Sequence, residues 1–415
     1  MWRLPGRPFS QSCAYLQLAL LAAALGGHSV HAQAAAARPV TLTQALAAVP
    51  KAPLREVARL QTSAARNAVD AAGAWPATSV GLTTSLRTAR FTPSVSLPLP
   101  VFGTVSANKD AARAELSVAR AQEAGTELSL RRQAQEAWTE LALAQAVASL
   151  AAQAAAREQE LADVTKSRFD AGEAPRAEVV AAEAESRRAK AEATAAASTV
   201  GASSAVLAGV LGWPPEALLL ADGGLPEPRA PQPLAAWLAR AAAHPEVRAA
   251  LARANVDAAH VKQAERARWP KLALLVEASI DDPTLPGSDM RTGVGVEVPL
   301  LGRTAETIAT AQAFERAARA EQDATQRDLG ARVVSAYRRV QSARERFRAL
   351  RDDVLPAQQE SVRLSRAAYA EGQQGLIAVI AANRALAEAE RGMVGAQADV
   401  ALAQSELEWS SGGNP

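Results

Sequence analysis

Apolar residues recur at alternating intervals of three and four over two long stretches of the chain. One such stripe covers residues 134–155, and a matching stripe covers 333–354, 199 positions later. This spacing over several heptads is typical of coiled-coil helices, and the many alanines allow close helix approach. We predict two long helices, each followed by a second helix, over 103–168, 176–211, 302–368 and 376–408.

Between the helical stretches, over 78–100 and 271–300, apolar residues alternate with small or polar ones. This period of two predicts two β-hairpins, each with one apolar and one polar face, although Pro98 weakens its strand. The predicted apolar face consists of Val80, Leu82, Leu86, Val95, Leu97, Leu272, Leu274, Val276, Val294, Val296 and Val298. The predicted polar face consists of Ser79, Thr83, Ser85, Ser94, Lys271, Glu277, Gly293, Gly295 and Glu297.

The same order of elements occurs twice, which indicates an internal duplication. Each repeat has a helix that ends at a Trp-Pro pair, then a hairpin, a long helix, a glycine turn and another helix. The predicted boundaries are 33–233 for the first repeat (helix 41–73, turn 169–175, Pro- and Gly-rich linker 212–233) and 234–415 for the second (helix 234–268, turn 369–375).

Gly172 and Gly372 occupy equivalent places in the two turns. Glycine supplies a backbone conformation that other residues resist, and Pro175 or Gly375 then prevents simple continuation of the helix. At ~1.5 Å per residue, the long helices place both turns roughly 100 Å from the hairpins. We therefore predict a rod whose two turns form a working tip.

The first residues of the chain predict export. Arg3 and Arg7 precede an apolar run over 16–25, and small residues near Ala32 provide a cleavage site. We predict a signal peptide over residues 1–32, with a short anchoring helix as the alternative. The only cysteine, Cys13, lies before the apolar run, so lipidation through it is not expected. The remaining charges cancel, which gives no electrostatic case for nucleic acid.

Four strands with one apolar face predict either a small sheet on a core or a sheet that faces lipid. In hydrocarbon, a lone sheet would leave unpaired backbone groups at its edges. The strands would then have to close with those of other copies into a barrel, with the polar face inside. Such a barrel, continuous with a long helical sleeve, would be a conduit with cyclic symmetry.

The tip segment 168–172 (RFDAG), followed by Glu178 and Val179, resembles the periplasmic tip motif of the TolC family of outer-membrane efflux proteins. Segments 99–103 (LPVFG) and 298–302 (VPLLG) resemble the junctions between barrel and helices in that family. The second tip departs from the motif, with Ala368 and Ala378 in the charged positions, so an ion pair that uses both halves is not expected.

The resemblance implies an α+β membrane fold: a homotrimeric, twelve-stranded outer-membrane β-barrel continuous with a periplasmic α-helical coiled-coil barrel of twelve helices. It also implies contact with outer-membrane lipid, and docking of the tip to a periplasmic adaptor of an inner-membrane pump in a Gram-negative bacterium. The implied tip residues are Arg168, Phe169, Gly172, Glu178, Val179, Tyr369, Gly372, Gln373 and Val379. The barrel lumen would hold Ser79, Thr83, Ser85, Ser94, Lys271, Glu277 and Glu297, and the junction Trp75, Pro76, Pro100, Gly103, Trp269, Pro270, Pro299 and Gly302.

No catalytic constellation or metal-ligand cluster is evident, so neither an enzyme nor a cofactor is predicted. His244 and His260 lie sixteen residues apart with no cysteine near them. Several alternatives stay open: a type I protein-secretion conduit, a non-conducting periplasmic scaffold, and tip glycines that serve only to reverse the chain. Trp75 and Trp269 fit either the membrane boundary or a cover over the junction. The sequence does not identify the substrate, whether drug, metal ion or protein.

Overall fold

The computed structural model describes residues 37–85, 90–280, 289–298 and 304–413, and those from Arg38 onwards belong to one compact unit. The predicted signal peptide and the predicted residues Leu86, Pro299 and Gly302 lie outside the described residues. In chain order the elements are β1 (Arg38–Thr41), α1 (Leu42–Ala48), α2 (Pro53–Gly73), β2 (Ser79–Thr83), β3 (Thr92–Leu99), α3 (Thr104–Asp170), α4 (Arg176–Leu211), β4 (Leu219–Asp222), α5 (Leu234–Ala241), α6 (Pro245–Ala267), β5 (Lys271–Ser279), β6 (Asp289–Glu297), α7 (Thr304–Ala349), α8 (Leu355–Ala370) and α9 (Leu376–Ser410).

Helix α3 runs for 67 residues without a break, as the heptad pattern predicts. Gly103, which has a φ of 72°, precedes it and turns the chain out of the strand direction. The interior Gly125 does not interrupt the helix, because one glycine costs only ~1 kcal/mol against many residues of continuous packing.

The long helix of the second repeat is not uniform. A π-helical turn, Leu350–Val354, separates α7 from α8. Pro356 follows this turn and has no N–H to offer the carbonyl of Asp352, so the backbone widens locally rather than keeping regular α-helical bonding. The apolar spacing predicted one continuous helix over 302–368. That prediction is wrong at this turn.

Two helices that were predicted as single elements are split at prolines. A 3₁₀ turn, Val49–Lys51, divides α1 from α2, and Pro53 takes the first position of α2. Likewise, Pro245 begins α6 after the short helix α5. Proline fits the first turn of a helix, where its missing N–H costs nothing, and so starts a new helix after a bend.

His244 shapes the second of these bends. It is 1% exposed, its Nδ1 accepts a hydrogen bond from the backbone N–H of Glu246 (3.1 Å), and its Nε2 donates to the carbonyl of Trp409 (3.0 Å). The imidazole thus caps α6 and ties it to the end of α9. His260, by contrast, is an exposed residue beside Asp257, so the two histidines are not partners.

A short parallel pair, β1 with β4, was not predicted. On the outer edge of β4, Ser204 Oγ accepts from the N–H of Leu219 (2.7 Å) and Gln145 Oε1 accepts from the N–H of Ala221 (2.8 Å), while the Trp138 indole donates to the carbonyl of Val40 in β1 (2.7 Å). Both strands have only four residues, and β4 lies in the Pro- and Gly-rich linker. Helix side chains thus satisfy the outer N–H groups of β4.

The predicted stripes form equivalent cores in the two repeats. Ala134, Ala137 and Leu141 lie in the first core with Leu207, whereas the second core contains the residues found 199 or 200 positions later. These later residues are Val333, Ala336, Val340 and Leu407. The duplication therefore extends from the sequence pattern to the packing.

Helix α4 is long and apolar enough to cross a membrane by length and composition alone. Its apolar character comes mainly from alanine, and no charged residue occurs over 193–211. It packs lengthwise on α3, which makes it the return arm of the first helical hairpin.

Candidate functional site

The two glycine turns have nearly the same backbone. Gly172 has a φ of 80° and Gly372 one of 73°, in the left-handed region that favours glycine. In each turn the residue after the glycine donates its N–H back to the carbonyl five positions earlier, at 2.8 Å. Pro175 and Gly375 then start the next helix with the same extended backbone. The second turn thus keeps the conformation of the first without its proline.

Tyr369 joins the two turns. The Arg168 guanidinium donates to the Tyr369 carbonyl (3.0 Å) and lies 4.6 Å from the centre of its ring, and the Tyr369 hydroxyl donates to Glu178 (3.1 Å). Arg168 also pairs with Glu173 at 3.7 Å. Both charged residues of the first tip motif therefore bind one uncharged residue of the second. Sequence comparison of Ala368 and Ala378 with their counterparts could not reveal this contact.

The predicted tip residues fall into two groups. Tyr369 and Val379 are buried in an apolar cluster with Leu161 and Leu376. They cannot contact a docking partner directly and would influence docking only by fixing the conformation of the turns. Phe169 is 40% exposed, and Gly172, Gly372 and Gln373 are also exposed. Arg168, Glu178 and Val179 are half-buried.

Three exposed apolar residues near the tip were missed by the sequence analysis. Ile377 is 78% exposed, Val180 is 59% exposed and Val164 is 49% exposed. Their sequence positions could have indicated this exposure, because all three fall outside the stripes of 3-4 spacing and lie close to the glycine turns. Val164 also lines a cleft of about 330 Å³ between α3 and α8, together with Glu160, Leu161, Arg168, Glu173, Arg366, Tyr369, Ala370 and Val379.

The second candidate region is a four-stranded antiparallel sheet in the order β2-β3-β5-β6. The register places Val80 opposite Val95, Val95 opposite Val276, and Leu274 opposite Val294, all on one face. This face is open: Val80 is 78% exposed and Val294 is 63% exposed. The described strand residues thus keep the predicted apolar face.

The opposite face carries Ser79, Thr83, Ser94, Lys271, Glu277 and Glu297, in the predicted alternation. Lys271 pairs with Glu297 across β5 and β6 at 3.3 Å. Ser85 lies beyond the end of β2. Leu275 is an exception on this face, and it lies over Gly295, where a side chain would collide with it.

Arg291 also lies on the polar face, directly opposite Glu277, and pairs with Asp289 at 2.9 Å. It falls outside the predicted polar face, whose alternation on this strand begins at Gly293. The period-two pattern, extended back by two positions, would have found it.

The junction between sheet and helices is partly covered by aromatic rings. Trp269 stacks on Phe102, with ring centres 5.6 Å apart, and is 42% exposed. Trp75 is 59% exposed. Pro76, Pro100 and Pro270 lie between the strands and the adjoining helices, and Gly103 directly precedes α3.

Within the described residues, no group of three or more His, Cys, Asp or Glu side chains is arranged to hold a metal ion. Several charged side chains in these regions form ion pairs instead: Arg168 with Glu173 at the tip, and Lys271 with Glu297 and Arg291 with Asp289 on the sheet. Their arrangement fits a surface or a lining rather than a reaction centre.

Comparison with known proteins gives one family and one fold. A family model described as outer membrane efflux protein matches residues 51–213 and 239–413. No curated protein sequence matches significantly. The solved structure of the outer membrane protein VceC from Vibrio cholerae has 18% sequence identity and a TM-score of 0.74, covering 90% of this chain and 96% of that one.

Two further solved structures are similar to the same extent. The MtrE outer membrane channel of Neisseria gonorrhoeae has 19% identity and a TM-score of 0.73, covering 90% of this chain and 89% of that one. The CmeC outer membrane channel of Campylobacter jejuni has 12% identity and a TM-score of 0.75, with coverages of 89% and 85%. At these identities the likeness shows the fold. Because the two matched family segments fall in the two repeats, the predicted two-fold repeat and the TolC-like channel fold of the single chain are confirmed.

Proposed function

Since the chain belongs to the outer membrane efflux protein family, we propose that it forms the outer-membrane conduit of a tripartite efflux system. In this role it passes small molecules, drugs or metal ions, from an inner-membrane pump and a periplasmic adaptor across the outer membrane. The family consists of transport proteins rather than enzymes.

The observation that carries this proposal is the four-stranded sheet. Among the described residues, β2 pairs only with β3, and β6 pairs only with β5, so each outer strand has an open edge. An exposed apolar face with open edges is unfavourable in water, and in lipid the edges must be paired. Closure with the strands of other copies satisfies both conditions. With three copies the barrel would have twelve strands, as the resemblance implies.

The polar face would then line the lumen. Its ion pairs, Lys271 with Glu297 and Arg291 with Asp289, place both signs of charge on the same face. Such a lining favours water without strongly favouring either cations or anions. Substrate choice would therefore lie with the pump, in agreement with the absence of a ligand-specific constellation in the sequence.

Docking of the adaptor is proposed for the tip. Helix α3 begins beside the sheet and ends at the first turn, so the turns lie at the opposite end of this helix from the strands. Exposed Phe169, Val180 and Ile377 provide an apolar surface there, and the glycine turns leave open space beside it. Apolar patches rimmed by charge are typical of protein contact sites.

A deletion strain tests the function as a whole. We expect sensitivity to several unrelated drugs or to metal ions, restored by the wild-type gene. Secretion of a protein that depends on this gene, with unchanged drug and metal sensitivity, would favour a type I secretion conduit instead. Release of the protein from membranes by carbonate would favour a non-conducting scaffold.

Two substitutions at Gly172 test docking. Apart from its chain neighbours, no described atom lies within 4 Å of the position that a Cβ would take there, so a side chain can leave the turn without an immediate collision and the positive φ is the main cost at the backbone. Gly172→Trp should abolish export, with oligomer assembly retained in sodium dodecyl sulfate. The matched control is Gly172→Asn, because asparagine tolerates a positive φ and projects little beyond the turn. If assembly also fails in Gly172→Trp, the glycine is structural and the docking assignment loses its support.

A further inference from the structure

Four helices meet around two buried glutamates above the tip. Glu185 on α4 has a side chain 4% exposed, and its carboxylate accepts hydrogen bonds from Arg384 of α9 (2.8 Å) and Arg188 (2.6 Å). Glu158 on α3 is 6% exposed, and its Oε2 accepts no hydrogen bond from any described residue. One carboxylate is therefore neutralised by two guanidinium groups, whereas the other is not.

The groups that face Glu158 come from all three neighbouring helices: Glu185 from α4, Arg366 from α8, and Asn383 and Arg384 from α9. Burial raises the pKa of the Glu158 carboxyl, and the charge of Glu185 adds to this effect. Asn383, Arg366 and Arg384 oppose it. The carboxyl thus lies between the repeats, where α3 of the first packs against α9 of the second, with Glu185 of α4 and Arg366 of α8 acting on it from either side.

Asn383 is suited to either protonation state of this carboxyl. It is 2% exposed, its Oδ1 accepts from Arg366 (3.5 Å), and its Nδ2 makes no hydrogen bond of good geometry with a described residue, although the amide is near enough to the Glu158 carboxyl to lower its pKa. An amide presents two donors on one side and an acceptor on the other, and the two can exchange by rotation. Asn383 can therefore donate to the charged carboxylate or accept from the neutral acid.

We propose that Glu158 is a proton-dependent latch between the two repeats, holding α3 against α8 and α9 when it carries a proton and favouring their separation when it does not. The proposal rests on the proposed function, because separation of these helices matters only in a conduit that opens. It assigns regulation by periplasmic pH to a layer of side chains above the tip turns.

The direction of the pH effect follows from the difference in the pKa of Glu158 between the packed and separated states. In the packed state burial keeps the proton on Glu158, whereas in the separated state water reaches the carboxyl and its pKa returns towards its ordinary value. Separation therefore releases a proton, and a rise in pH through the raised pKa favours the separated state. The ratio of packed to separated helices should change about tenfold for each pH unit between the two pKa values.

Spin labels can follow this equilibrium. Val164 on α3 and Ala370 on α8 are exposed and line the same cleft, so labels on introduced cysteines are close when the helices are packed. The only native cysteine is Cys13, within the predicted signal peptide. We expect the fraction of close label pairs in the full-length, membrane-reconstituted protein to fall as the pH rises from about 5 to about 9.

Three variants decide whether Glu158 is responsible. Glu158→Gln should keep the acid-state fraction over the whole pH range, whereas the exposed neighbour control Glu160→Gln should titrate as the wild type does. Arg366→Gln removes a cation that opposes protonation, so it should move the midpoint to higher pH. It tests the proposal even if Glu158→Gln does not fold. An unchanged titration in Glu158→Gln, or an unchanged midpoint in Arg366→Gln, would overturn the latch.

Conductance in planar bilayers separates this proposal from the proposed function. A protein that conducts, but whose label pairs titrate independently of Glu158, refutes the latch and leaves the conduit intact. A protein that conducts at no pH refutes the conduit, and with it the regulatory meaning of any titration seen with the labels.

Discussion

Glu185→Gln removes the charge of a carboxylate that holds the two repeats together. In the wild type, Arg384 of the second repeat and Arg188 of α4 both donate to this side chain. Glutamine has nearly the same shape and keeps one acceptor oxygen, so the substitution tests the charge rather than the packing. We expect it to destabilise the helical region at neutral pH.

The size of the expected loss of stability follows from the pKa of Glu185. Hydrogen bonds donated by Arg384, and next by Arg188, lower this pKa from 4.5 to about 2, although burial acts in the opposite direction. One pKa unit corresponds to about 1.4 kcal/mol, so the charge contributes roughly 3 kcal/mol at neutral pH. The side chains of Arg384 and Arg188 are 54% and 47% exposed, so neither cation is left buried. We therefore expect a loss of about 2–3 kcal/mol, below the ~3–5 kcal/mol typical of a broken buried pair.

Urea unfolding followed by helical circular dichroism in detergent measures this difference, with the pH as a second variable. Because folding lowers the pKa of Glu185, its contribution is complete above its unfolded pKa and is lost as the pH falls through the folded value of about 2. The curves of Glu185→Gln and wild type should therefore converge at acid pH.

Glu183→Gln is the matched control. It lies on the same helix, and its ion pair with Arg187 is exposed, so we expect a change below ~1 kcal/mol. Equal stability of Glu185→Gln and wild type at neutral pH would refute the reasoning. So would a difference that stays constant down to acid pH, because it would show that packing, rather than charge, is responsible.

Three further predictions concern other parts of the molecule. Burial lowers the pKa of His244, so the neutral imidazole should contribute fully to the free energy of unfolding above its unfolded pKa of about 6.5, and less as the pH falls below that value. His244→Asn should flatten this part of the curve of stability against pH. Gly212→Ala should destabilise the fold in urea unfolding, because Gly212 has a φ of 70° and a Cβ would collide with Pro53 at the start of α2. The control Gly209→Ala, at a helical position with open space around it, should stabilise the fold by up to ~1 kcal/mol. Val294→Arg on the apolar sheet face should cost about 2–4 kcal/mol of insertion, measured by outer-membrane fractionation, while Gly293→Arg on the opposite face should insert normally; equal loss in both would contradict the assigned faces.

Much of the helical architecture could be predicted because it depends on periodicity. The stripe from Ala134 to Leu141 repeats as Val333 to Val340, and both are fully buried at their ends. Burial of one helix face requires this spacing, so the spacing is visible without coordinates. The alternation in the strands follows from the same argument with a period of two.

The contacts at the tip could be predicted only in part. The glycines mark the turns, but the bonds of Arg168 and Glu178 to Tyr369 join residues about 200 positions apart. No local pattern encodes which side chains meet there. The short pair of β1 and β4 was missed for the same reason, since side chains of distant helix positions, such as Ser204, supply partners for its outer edge.

By itself the sequence determined the duplication, the place of each turn and the two faces of the hairpins, because each depends on residues a few positions apart. Only the tertiary structure decided that Tyr369 is the shared partner at the tip, and that Glu185 is paired while the neighbouring Glu158 is not. Both carboxyls belong to the same kind of alanine-rich, charged helix. Their different states arise from which helices pack beside them, since desolvation and the positions of nearby guanidinium groups set the energy of a buried charge.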